Sequence, residues 1–191
     1  MINTYLITDP QYYSTDFIFL KKVLLHHQAD FVLYRDKETN NYKTSAIKFL
    51  EVCAAFESVK PMLHGDVTLA FTLGAYGVHL TSLQFGEIKK AKEMGLFTVI
   101  SCHSEIEMLK AEKLGADAVT YSPIFSTPNK GEPKGLAELQ RMVAKISLPI
   151  IALGGITTEK EVKAVESTGC YGFASIRYFV NINNFSKEVH V

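Results

Sequence analysis

Cysteine is scarce in this 191-residue chain, which has only Cys53, Cys102 and Cys170. Their odd number and the lack of any CxxC pair argue against a disulfide framework or a cysteine-based zinc site, and fit a reducing cytoplasm. Neither sign of charge is in excess, because twenty Lys and Arg balance twenty Asp and Glu. With no basic run, the chain lacks the electrostatic footprint of a binder of nucleic acid or of an anionic membrane. A small-molecule partner is the expectation that remains. Long apolar runs are missing too: the longest weakly polar stretch, 148–156, is far shorter than the ~20 residues of a membrane span. The start MINTYLITD has no basic segment, long apolar run or small-residue cleavage site, so a cytoplasmic location is expected rather than export. Twelve glycines and six prolines beside 47% hydrophobic and 21% charged residues exclude disorder, collagen and coiled coil. The length suits one domain over 1–191.

What is present is a repeated phrase, in which a polar, helix-like run ends at a glycine and an apolar stretch follows. It recurs at Gly74, Gly95, Gly115 and Gly169, spaced by 21, 20 and 54 residues, the last about two units. Glycine is the residue expected just past a helix C-terminus, where φ turns positive. Ser104 and Thr158, each three residues before a glutamate (Glu107, Glu161), have capping-box spacing and mark two helix starts. The apolar stretches 97–101, 118–121, 149–153 and 172–175 show no clear alternation, as expected of parallel strands buried on both faces. Weaker copies at 5–8, 31–34, 61–64 and 77–80 raise the number of strands to eight. A first helix is expected over 14–27 with Phe17, Leu20 and Leu24 on one face, and a second burying Ala46, Phe49, Leu50 and Cys53. Eight units in 191 residues, about 24 each, predict a compact α/β (β/α)8 TIM barrel with a short or incomplete last helix over 181–191. An open flavodoxin-like sheet needs only five strands, so the count favours the barrel.

In such a barrel the chemistry lies where strands end and loops begin. Gly154 and Gly155 follow the seventh strand, and their amides could approach a phosphate; the alternative is that they only allow a tight turn. Arg177, after the eighth strand, adds a cation. Arg35 and Lys37 lie two apart at a strand end and so share a side, where they could grip a diphosphate or carboxylate. The alternative is a surface pair with Asp36 or Glu38. Residues 127–135, with Lys130 and Lys134, form the longest loop, either a closing lid or a solvated connector. Cys102 is expected to pack as a small core residue.

YLITD at 5–9, YRDK at 34–37, GVHL at 77–80, SCHS at 101–104, GAD followed by SPIFSTPNK ending at Lys130, and ALGGI at 152–156 occur in one order. Through them the chain resembles the thiamine phosphate synthase and TenI (thiazole tautomerase) family over nearly its whole length, to about Phe179. The resemblance implies a thiazole phosphate held by Gly154, Gly155, Ile176 and Arg177, although the family usually has a small residue where Arg177 stands. It also implies that Arg35, Lys37, Ser101, Thr127 and Lys130 handle a pyrimidine diphosphate, with His103 beside them. Two family aspartates that coordinate magnesium on the diphosphate correspond here to Gly65 and Gln84. Asp66 is one step out of register. The glutamine usual before the RxK is Leu33, and the histidine of the tautomerases after strand six is Pro123.

These departures favour a metal-independent, TenI-like thiazole tautomerase, an isomerase that needs no cofactor. The proton carrier is then expected to be His64, an imidazole at the mouth of the third strand with an expected pKa near neutrality, with His103 and His79 as competitors and a packed, hydrogen-bonded histidine as the alternative for His64 itself. The alternatives are a thiamine phosphate synthase, a transferase with altered magnesium binding, or a non-catalytic ligand-binding barrel. A homo-oligomer is left open.

Overall fold

Eight short strands pair in parallel and close on themselves in chain order, each with its sequence neighbour and the eighth with the first. The computed structural model describes residues 2–128 and 130–180. The strands are β1 (Asn3–Ile7), β2 (Phe31–Tyr34), β3 (Lys60–His64), β4 (Gly77–Leu80), β5 (Phe97–Cys102), β6 (Ala118–Tyr121), β7 (Ile150–Leu153) and β8 (Gly172–Ser175). Between them run α1 (Ile18–His26), α2 (Tyr42–Cys53), α3 (Val67–Thr72), α4 (Ile88–Glu93), α5 (Glu105–Leu114), α6 (Gly135–Lys145) and α7 (Glu159–Glu166). Helix α8 (Arg177–Val180) follows β8, and the expectation of an incomplete helix over 181–191 lies outside the described residues. The barrel stays compact because α3 and α4 have only six residues each.

Alternation along each strand divides the apolar residues between two cores. Tyr5, Ile7, Phe31, Leu33, Met62, Val99, Ala118, Ile151 and Ala174 fill the barrel interior. Leu6, Val32, Leu63, Val78, Ile100, Val119 and Phe173 face the helices, which return Leu20, Phe49, Met108, Leu139 and Val165. Every residue of β2, β4, β6 and β8 is therefore buried, as strands covered on both sides require. Gly77 is required by packing, because a Cβ there would overlap the Phe97 carbonyl and the Met62 thioether.

The expected helix ends are observed. Gly74, Gly95, Gly115 and Gly169 all have positive φ, and Thr158 closes a full capping box with Glu161. Ser104 caps α5 through the Glu107 amide, but the Glu107 carboxylate accepts from the amide of His103, one residue earlier than in a full box. Helix α1 begins at Ile18, four residues after the expected start. Asp16 accepts from the Ser14 hydroxyl and the Ile18 amide, while Phe17 takes φ 56° to place its ring edge-on against Tyr34 and Phe49. Among the described residues no helix is long and apolar enough to cross a membrane. The three cysteines are buried and unpaired, and burial pushes the Cys102 thiol up to about 12.

Candidate active site

At the C-terminal ends of the strands the barrel opens into a cavity of about 700 Å³. All eleven residues singled out from the sequence line it. Arg35, Lys37 and His64 come from the ends of β2 and β3, Ser101 and His103 from β5, and Thr127 and Lys130 from the β6–α6 loop. Gly154, Gly155, Ile176 and Arg177 come from the ends of β7 and β8.

The glycine pair is needed for both conformation and space. Gly154 has φ 100° and Gly155 φ 71°, a region L side chains rarely adopt. A Cβ on Gly154 would sit 2.9 Å from Pro123 Cα, and one on Gly155 2.6 Å from Phe125 Cβ. The turn thus packs directly against the β6–α6 loop, which bonds back through the Phe125 amide to the Gly154 carbonyl (3.0 Å). Among the described residues, the amides of Gly154, Gly155, Ile176 and Arg177 donate to no protein acceptor. Four unmatched donors at one cavity suit an oxyanion.

Cations gather beside them. The neighbouring charge of Arg35 is the leading cause that lowers the Lys37 ammonium from its usual range, followed by burial and by Lys130. Arg35 and Lys130 are therefore both within electrostatic reach of Lys37, and Asp9, 3.6 Å from Arg35, partly offsets the positive charge. Asp36, the alternative partner, is occupied elsewhere, since its carboxylate accepts from the amides of Glu38 and Thr39.

His64 is half-buried at the cavity wall, and its backbone amide donates to the Tyr42 hydroxyl (2.9 Å), which donates to the Tyr34 carbonyl (3.0 Å). Burial first, then the charges of Arg35 and Lys37, push its imidazole down to about 4. This corrects the expectation of near-neutral titration: the ring is neutral at pH 7 but a weak base. His103 is exposed, and its Nδ1 lies 3.1 Å from the Ser122 carbonyl and 3.4 Å from the Ser122 hydroxyl. His79 is buried beneath the cavity, between Tyr5 and Ser101.

Gly65 and Gln84, which the sequence resemblance sets against two metal-binding aspartates, are tied to each other. The Gln84 Nε2 donates to the Gly65 carbonyl at 2.7 Å, and its Oε1 accepts from the Thr81 amide and hydroxyl, both at 3.0 Å. Asp66 is exposed and caps α3, accepting from the Leu69 amide (2.9 Å). A divalent ion on diphosphate needs hard, anionic oxygen ligands. The residues present do not fit it, and the described residues contain no cluster of three or more His, Cys, Asp or Glu able to hold a metal. A second cleft of about 670 Å³ adjoins here and shares Lys37 and His64 with the main cavity.

Sequence reasoning missed Gln11, Tyr12 and Leu83, which line the same cavity, and the inward-facing Tyr5 beneath it. Strand alternation was the available signal for Tyr5. The other three stand on loops whose path no local pattern sets.

Residues 4–179 match the family described as thiamine monophosphate synthase. A relative from Aquifex aeolicus named putative thiamine-phosphate synthase 2 is 33% identical over 184 residues, 92% of this chain and 96% of the relative. Another, from Latilactobacillus sakei and named thiamine-phosphate synthase, is 31% identical over 83% of this chain and 75% of its own length. Among solved structures, thiamine phosphate pyrophosphorylase from Pyrococcus furiosus superposes with a TM-score of 0.81 at 24% identity, covering 97% of this chain and 94% of that one. That likeness matches the closed parallel barrel.

Proposed function

Because the chain belongs to the thiamine monophosphate synthase family of thiamine biosynthesis, we propose that it is a transferase joining a pyrimidine diphosphate to a thiazole phosphate, with release of diphosphate. This gives first place to the reading ranked second from the sequence alone. The observation that carries it is the gathering of Arg35 and Lys130 about Lys37 in one cavity with the four amides that have no acceptor among the described residues. A tautomerase's thiazole carboxylate phosphate brings one phosphate and one carboxylate, whereas the transferase brings a diphosphate and a phosphate, the larger anionic load that three cations and four amides match.

In this reading the amides of Gly154, Gly155, Ile176 and Arg177 hold the thiazole phosphate. The three cations hold the diphosphate and stabilise the charge that grows on it as its carbon–oxygen bond breaks and the new carbon–nitrogen bond forms. Gly65 and Gln84 offer a cation no anionic oxygen, so neutralisation of the leaving group falls to the side chains. His64, neutral at working pH, contributes a polar wall rather than a proton carrier.

The tautomerase remains a second reading, favoured by the same Gly65–Gln84 bridge, since proton transfer needs no metal pair. Supplying both substrates separates the two: the transferase releases diphosphate, and the tautomerase converts its thiazole carboxylate phosphate without it.

A further inference from the structure

Beneath the cavity floor a chain of polar side chains crosses the barrel interior. The Tyr5 hydroxyl lies 3.0 Å from His79 Nδ1, and His79 Nε2 lies 3.1 Å from Ser101 Oγ. Thr120 Oγ1 stands 3.4 Å from the same Nε2 and 3.5 Å from Ser101 Oγ. Tyr5 and His79 are 1% and 3% exposed, so bulk solvent reaches neither. Ser101 alone reaches the cavity.

A buried hydroxyl hydrogen left without an acceptor costs free energy, and that cost sets the direction of the chain. The Tyr5 hydroxyl bonds to nothing else among the described residues, so its proton goes to His79 Nδ1. A neutral imidazole that accepts at Nδ1 carries its hydrogen on Nε2 and donates from there. That donation occupies a lone pair of Ser101 Oγ and leaves the serine's own hydrogen free to point at the cavity. The reverse order would leave the tyrosine hydrogen buried without a partner.

We propose that Tyr5 is a positioning residue that, by fixing the tautomer of His79, makes Ser101 a hydrogen-bond donor toward a ligand acceptor such as a ring nitrogen. The inference rests on the transferase reading only for the identity of that ligand, the pyrimidine diphosphate. Burial alone would hold Ser101 in place; only the relay sets which way its hydrogen points.

Two measurements test it. In protein carrying ¹⁵N-labelled histidine, with the His79 signals assigned by their loss in His79→Gln, the unliganded chain should show Nε2 protonated and Nδ1 bare. Tyr5→Phe should return hydrogen to Nδ1. Calorimetric titration with pyrimidine diphosphate should find Tyr5→Phe and Ser101→Ala each weaker by about tenfold, with the double variant no weaker than Ser101→Ala alone. A hydrogen on Nδ1 in the unsubstituted chain would overturn the proposal, as would losses that multiply in the double variant. If the unsubstituted chain fails to bind pyrimidine diphosphate, the transferase reading fails while the tautomer measurement still decides the relay.

Discussion

The side-chain amide of Gln84 donates to the backbone carbonyl of Gly65 across 2.7 Å, and its oxygen is already shared by the amide and hydroxyl of Thr81. A cation placed between the two positions would have to break these bonds and would gain no anionic ligand in exchange. Turnover is therefore expected to persist when a chelator strips divalent ions. A rate that collapses with the chelator and returns with magnesium would show that the ion is needed.

Alanine at the glycine pair should harm both binding and stability. Gly155→Ala must hold a side chain at φ 71° and displace the Phe125 and Ser126 backbone, at a cost of about 1–3 kcal/mol. A thermal melt should register that loss, and the KM for thiazole phosphate should rise more than the KM for its dephosphorylated form. Equal effects on the two would remove the phosphate from this site.

The cation group makes a separate prediction. Arg35→Gln, Lys37→Gln and Lys130→Gln should each weaken pyrimidine diphosphate binding by about tenfold, with little effect on the thiazole phosphate. Affinity in the unsubstituted chain should fall as salt rises, and more gently in each variant. The mutual repulsion that lowers the Lys37 ammonium also means binding should decline at alkaline pH as that lysine loses its proton.

Acid should destabilise the fold through two histidines. His64 is pushed down to about 4 and His79 to about 3, in each case chiefly by burial. An unfolded histidine takes up its proton near pH 6.5, whereas the folded rings resist, so protons favour the unfolded chain. Their contribution is complete above pH 6.5 and is lost as pH falls toward 3–4, at about 1.4 kcal/mol per pH unit for each ring. Denaturant titrations across this range should show the slope, and His64→Asn should reduce it. The same depressed value predicts that His64→Asn leaves the neutral pH–rate profile unshifted; a lost limb near pH 6–7 would restore His64 as the proton carrier.

How much of this was written in the sequence depends on the range of the interaction. Glycines at helix ends and apolar runs are local signals, and they placed all eight strands within two residues of where they lie. The strand-end rule then gathered the site, because a closed parallel barrel brings every C-terminal end to one rim. The start of α1 was not legible, since Phe17 adopts positive φ to reach Tyr34 and Phe49 in the folded core. Nor was the charge state of His64, which depends first on its burial and then on Arg35 and Lys37 from the neighbouring strand end. The chain from Tyr5 through His79 to Ser101 joins three strands, 74 residues apart at its first link, and only the closed barrel brings them together.

The central claim is that one cavity holds two phosphorylated substrates and expels diphosphate. Phosphorus NMR of the protein incubated with pyrimidine diphosphate and thiazole phosphate tests it most directly. Free diphosphate should appear in step with the coupled monophosphate product. Unchanged diphosphate substrate, together with conversion of a thiazole carboxylate phosphate to its aromatic tautomer by the same preparation, would contradict it.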